Sequence, residues 1–151
     1  MKVLFVCTGN TCRSPMAQAI LTHKAKQQRL DISADSAAIM MTYGERMNPK
    51  AIEALKKMGI TGFSHASQPV TPRLVNESDF VVTMTWEQRA TLAVVIDDDK
   101  LASFSEVAPY GDITDPYGGD QAEYDRCAQV LDKAIDCLIS YIKGRFLEGK
   151  A

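Results

Sequence analysis

A cysteine, five intervening residues, an arginine and a serine stand together near the start of the chain: Cys7-Thr8-Gly9-Asn10-Thr11-Cys12-Arg13-Ser14, closed by Pro15. The chemistry these types can do is specific. A thiol at the end of a strand and just ahead of a helix sits where free backbone N–H groups and the helix dipole favour negative charge, so the thiolate is the favoured form. A thiolate attacks phosphorus well. Arg13 can hold two phosphate oxygens in a bidentate fork, a geometry lysine cannot reproduce. Gly9 removes a side chain where backbone must approach an anion, and Asn10 is among the few non-glycine residues tolerated at positive φ. Ser14 is placed to cap the helix or to donate to the Cys7 sulfur. Cys7 alone would read as a small core residue; the conjunction of all these types in one strand-to-helix turn is what points to a dianion bound beside a nucleophile.

The elements that must hold this turn are legible on either side of it. Val3-Leu4-Phe5-Val6 is apolar without alternation, the pattern of a parallel strand buried on both faces. Ser14-Pro15 predicts a helix start with proline in the first helical position, and Ala17, Ile20, Leu21 and Ala25 give that helix one apolar stripe. A second strand is expected over residues 32–38, then a loop over 39–47 with exposed apolar side chains. A helix opens at Asn48-Pro49 and stops at Gly59. Thr71-Pro72 starts a short helix, residues 80–84 form a buried strand, and Thr85 with Gln88 makes a capping box for a helix from Trp86. Residues 101–104 read as a last strand, 105–123 as one long loop, and the run from Tyr124 to about Phe146 as a helix. Strands alternating with helices predict an α/β fold, a parallel sheet covered on both faces. The long loop carries Asp112, Asp115 and Asp120, and a loop after a late strand can reach the first strand's carboxyl end.

The whole chain bounds the function. Its 151 residues suit a single domain, 1–151, with an ordinary soluble composition of 46% hydrophobic and 24% charged residues. The net charge of −2 offers no basic field, which argues against nucleic acid. No apolar run approaches a membrane span and no signal-peptide pattern opens the chain, so a cytoplasmic protein without membrane partners is expected. The four cysteines, Cys7, Cys12, Cys127 and Cys137, are then expected to be reduced thiols, and neither their spacing nor that of His23 and His65 suits a metal. No metal and no cofactor are expected.

Cys7 to Pro15, with Leu4-Phe5-Val6 before it, resembles the phosphate-binding loop of the low-molecular-weight protein tyrosine phosphatases. The resemblance extends over Ser36-Ala37, Ser64-His65, Val70-Thr71, the run 79–84 and Asp115-Pro116-Tyr117. It implies a three-layer α/β/α fold with a four-stranded parallel sheet, a monomer, phosphorylated proteins as substrates, and phosphate-monoester chemistry without metal. Residue by residue it implies Cys7 as nucleophile, Arg13 as phosphate clamp, and Asp115 as the acid that protonates the leaving group and then the base that activates water. Thr8, Gly9, Asn10, Thr11, Cys12 and Ser14 would line the substrate site, and His65 would support the loop by hydrogen bonding. Cys12 would form a reversible disulfide with Cys7, protecting it from irreversible oxidation. At Thr11, tyrosine-directed members usually carry a bulky apolar residue, and here the string resembles the protein-arginine-phosphatase branch. Met84-Thr85 in place of a Met-Asp pair, and Gln68-Pro69 in place of an arginine and a polar residue, depart from the tyrosine-directed pattern in the same direction. The resemblance therefore implies a cysteine-dependent phosphatase for phosphoarginine in proteins. Phosphotyrosine is the alternative substrate. A thiol arsenate reductase is disfavoured because that chemistry wants two further cysteines in a mobile segment, and a non-enzymatic thiol redox sensor because it leaves Asp115-Pro116 unexplained. Met40, Met41, Tyr43 and Tyr117 would wall the mouth of the site; Cys127 and Cys137 read as core.

Overall fold

The computed structural model describes residues 1–147; the last four positions of the expected domain, 148–151, lie outside the described residues. Four parallel strands, β1 (Lys2–Cys7), β2 (Ser33–Ala38), β3 (Phe80–Thr83) and β4 (Leu101–Ser103), form one sheet in the order β2-β1-β3-β4. β1 is central, paired with β2 from Lys2 opposite Ser33 to Cys7 opposite Ala38, and with β3 from Val3 opposite Phe80 to Val6 opposite Thr83. That pairing explains its unbroken apolar run. Val3 and Phe5 enter one core with residues of α1 (Arg13–Gln27), α2 (Pro49–Lys57), α5 (Phe104–Val107) and α6 (Gln121–Ile142). Leu4 and Val6 enter the other core, under α3 (Pro72–Glu77) and α4 (Trp86–Leu92). Successive side chains thus point to opposite faces, and both faces are covered. The architecture is three-layer α/β/α.

Several boundaries differ from the sequence expectation. α1 begins at Arg13, with Cys12 as the capping residue and no side-chain cap, so Pro15 lies third in the helix. The first-turn logic survives because no N–H in that turn has an intrahelical partner. Ser14 does not cap. The expected last strand stops at Ser103, because a capping box of Ser103 and Glu106 turns Phe104 into the start of α5. Phe104 stacks on Phe5 at 5.8 Å. The long loop is therefore 108–120 rather than 105–123. α6 opens three residues before its first buried side chain, Tyr124, because the Asp120 carboxylate accepts from the Glu123 N–H. The last turn, Lys143–Leu147, is wider than α-helical. Ala51, Ala54 and Leu55 carry the buried face of α2, and Ile52 is exposed. Among the described residues no helix is long and apolar enough to cross a membrane.

Candidate active site

Cys7 ends β1 and is 2% exposed, and the chain from Thr8 to Cys12 curls over its sulfur before α1 begins. The Asn10 N–H points at the Cys7 Sγ at 3.2 Å, and the Ser14 Oγ lies 2.9 Å from it. Asn10 makes this curl possible. Its φ of +57° is the left-handed conformation that asparagine tolerates. Its fully buried side chain is bonded at both ends. The Oδ1 accepts from the Gln68 N–H at 3.1 Å and the Nδ2 donates to Ser14 Oγ at 2.8 Å. The Gln68 N–H can only donate, so the amide orientation is settled by its partners. Ser14 accepts from Asn10, and its single proton is left for the sulfur.

His65 supports the same residue from outside. Its Nε2 lies 2.6 Å from the Asn10 carbonyl oxygen, which can only accept, so Nε2 carries the proton. Burial holds the imidazole below its usual 6.5, against the opposing pull of that hydrogen bond and of Asp35. His23 lies part-exposed on α1, away from the loop. Gly9, read as a close-approach glycine, has ordinary φ, and a Cβ there would come no nearer than 4.0 Å to Thr11 Oγ1. Its backbone conformation does not demand glycine.

Arg13 is 5% exposed and ties the loop to the distant 108–120 segment. Its Nη1 donates to the Ile113 carbonyl at 2.9 Å, and its Nη2 lies 3.5 Å from the Asp115 carboxylate. Asp115 accepts from the Tyr117 N–H at 3.1 Å, and its side chain is about half exposed, at 51%. The acid loop is also held from below: the Ile113 N–H donates to the Met84 carbonyl at 2.9 Å, and Asp112 accepts from the Trp86 N–H at 2.9 Å.

Cys7, Thr8, Gly9, Asn10, Thr11, Cys12, Arg13, Met40, Asp115 and Tyr117 line one cavity of about 300 Å³. Ser14 is fully buried beneath it and His65 is half-buried behind it, and neither is among the residues that line it. Of the four expected wall residues, Met40 and Tyr117 line the cavity; Met41 and Tyr43 are exposed outside it. Cys12 is buried, and burial pushes its thiol up despite hydrogen bonds from Tyr124 and Thr11. Its Sγ lies 3.5 Å from the Tyr124 hydroxyl and 3.8 Å from Thr11 Oγ1. Cys127 is core, its thiol pushed by burial up to about 12, and Cys137 is half-buried.

Three contributors escape the sequence reading: the Gln68 backbone N–H, the Tyr124 hydroxyl and the carboxamide of Gln88, whose Nε2 donates to Thr8 Oγ1 at 3.1 Å. Gln88 had a signal, the capping box, though nothing in it indicates where the other end of the amide goes. Tyr124 looks only like the first apolar residue of a helical stripe.

The arrangement can bind a dianion among backbone N–H groups and a guanidinium, offer it a hydrogen-bonded sulfur, and place a carboxyl at the cavity mouth. Residues 2–146 match the family model described as low molecular weight phosphotyrosine protein phosphatase. The protein-arginine-phosphatase of Bacillus subtilis (strain 168) is 33% identical over 147 residues, covering 95% of this chain and 97% of its own. The probable low molecular weight protein-tyrosine-phosphatase EpsP of Ralstonia solanacearum is 30% identical over 143 residues, 93% of this chain and 95% of its own. A solved mutant of the YwlE arginine phosphatase, with a phosphorylated active-site serine, superposes with a TM-score of 0.89 at 32% identity. It covers 97% of this chain and 98% of that one.

Proposed function

The chain belongs to the low molecular weight phosphotyrosine protein phosphatase family and is a protein phosphatase, and we propose that it removes phosphate from phosphoarginine residues of proteins through a phosphocysteine on Cys7. In the first step the Cys7 thiolate attacks phosphorus while the P–N bond breaks, and the departing guanidine nitrogen takes the Asp115 proton. Arg13 and the loop N–H groups hold the three phosphoryl oxygens. In the second step the Asp115 carboxylate takes a proton from water, the water oxygen bonds to phosphorus, and the P–S bond returns its electron pair to Cys7. Splitting one displacement into two lowers each barrier. Support for the covalent intermediate comes from the phosphorylated serine in the YwlE relative.

The observation that carries the arginine reading is Thr11. Thr11 lines the same cavity as Asp115, and its Oγ1 lies 4.0 Å from where a Cβ on Gly9 would stand. The Thr11 hydroxyl and the Asp115 carboxyl oxygen that does not carry the donated proton are two acceptors for the planar N–H groups of a guanidine, groups that a phenyl ring lacks. A site built to hydrogen-bond its substrate rejects an analogue lacking those groups far more strongly than shape alone does. The apolar faces of Met40 and Tyr117 would pack a phenyl ring as well, which keeps phosphotyrosine as the second reading. The same reading makes Cys12 the resolving thiol. Peroxide oxidises Cys7 to a sulfenic acid, and Cys12 then displaces water from it to form the disulfide.

The deciding measurement is kcat/KM on matched peptides bearing phosphoarginine or phosphotyrosine. Wild type should prefer phosphoarginine, and Thr11→Ile should narrow or reverse the preference. Equal rates, or a tyrosine preference in the wild type, would overturn the arginine reading.

A further inference from the structure

The nucleophile loop and the acid loop belong to distant parts of the chain, and besides Arg13 one buried side chain joins the supports of both. Gln88 lies in the first turn of α4 and is 6% exposed. Its Oε1 accepts from the N–H groups of Met84 at 3.0 Å and Thr85 at 3.1 Å. Two donors on one oxygen leave no freedom to flip the amide, since the NH₂ group would then face two N–H groups. Nε2 is therefore the atom that reaches the nucleophile loop, donating to Oγ1 of Thr8, the residue next to Cys7. The corner that Gln88 grips also carries the acid loop, through the Ile113 N–H on the Met84 carbonyl and Asp112 on the Trp86 N–H. Those attachments lie two and three residues before Asp115.

We infer that Gln88 is a positioning residue for catalysis: its carboxamide sets the placement of Cys7 relative to Asp115 by tying Thr8 to the backbone corner that holds the acid loop. This rests on Cys7 as nucleophile and Asp115 as acid. It goes beyond the capping role, which needs only the Oε1 end of the side chain. The requirement is steepest for a leaving group that departs only when protonated, as a guanidine does. An acid displaced by a fraction of an ångström then costs rate, while a good leaving group departs without its help.

The test is kcat/KM on phenyl phosphate and on 2,4-dinitrophenyl phosphate, which isolates the first chemical step with a poor and a good leaving group. Gln88→Leu should lose about tenfold on phenyl phosphate and under about threefold on the dinitrophenyl ester, a fraction of the 10²–10⁴ that a positioned acid supplies. Thr8→Val leaves the capping box untouched and should give the same pattern, so the test stands even if Gln88→Leu fails to fold. Gln88→Glu keeps an acceptor for both backbone N–H donors and can accept a hydrogen bond from the Thr8 hydroxyl, restoring the tie with reversed polarity; it should recover most of the loss on phenyl phosphate. Asp115→Asn, run alongside, should show the same leaving-group dependence in stronger form with substrate binding retained. Equal losses on both esters in Gln88→Leu and Thr8→Val, or no loss in either, overturn the inference while leaving Asp115 as the acid. Asp115→Asn losing evenly on both overturns the acid assignment and the inference with it.

Discussion

Replacing Ser14 with alanine should weaken the nucleophile by an amount that follows from counting protons. Asn10 donates to the Ser14 Oγ at 2.8 Å, so the only proton of that hydroxyl lies on the 2.9 Å line to the Cys7 sulfur. Without it the thiolate keeps the Asn10 N–H at 3.2 Å and loses its shortest donor. A hydrogen bond to a charged group is worth about 1.5–3 kcal/mol. At 1.36 kcal/mol per tenfold, Ser14→Ala should therefore lower kcat/KM on an aryl phosphate roughly 10- to 150-fold. The rate of Cys7 alkylation by iodoacetamide, followed by mass spectrometry, should fall in step because both report the same thiolate. Stability falls too, since the buried Asn10 Nδ2 loses its acceptor, at a cost of about 1–3 kcal/mol. Urea denaturation separates the two effects. A folded Ser14→Ala protein whose kcat/KM and alkylation rate stay within about twofold of wild type would refute this proton assignment; so would a loss that only tracks the unfolded fraction.

Two further outcomes follow from the same network. Asn10→Gly and Asn10→Ala both delete the carboxamide, but alanine must also hold φ near +57°. The left-handed cost of about 1–2 kcal/mol, less the entropy glycine loses on folding, should leave the alanine variant about 0.5–1 kcal/mol less stable; equal urea midpoints would remove the strain argument. His65 is held below its usual 6.5 by burial, so the unfolded chain takes up its proton first as pH falls. Its contribution is fully present above pH 6.5 and is lost as pH falls through the lower folded value. Urea midpoints of wild type should thus drop more steeply below pH 6.5 than those of His65→Gln; parallel curves would show that His65 is not the titrating group.

What was legible in the sequence was local. The apolar run of β1, the turn residues after it and the stripe of α1 are consecutive, so each reports its neighbour's environment, and Asn10 at positive φ was readable from its type alone. Boundaries failed where a polar side chain overrode apolar periodicity: Glu106 with Ser103 converted the expected end of β4 into α5, and Asp120 opened α6 a turn's length before the stripe begins. Asp115 is one of three aspartates in its loop, and only family resemblance distinguished it beforehand. In the fold it lies 3.5 Å from Arg13, while Asp112 and Asp120 are spent on backbone N–H groups. The contacts from Gln68, Gln88 and Tyr124 cross 58, 80 and 112 positions of chain. Separations of that kind are set by sheet order, and no spacing rule encodes them.

The cavity has two kinds of wall. Asn10, Arg13 and the buried Ser14 beneath are each fixed by side-chain hydrogen bonds, whereas the exposed side chains of Met40 and Tyr117 are held by none among the described residues. Variation at these two positions is therefore free to proceed without disturbing the reacting centre. A lineage can trade one client protein for another by exchanging rim side chains, each exchange nearly neutral for folding. A combinatorial library confined to Met40, Met41, Tyr43 and Tyr117 would sample altered client choice while retaining a folded, reactive scaffold in most of its members.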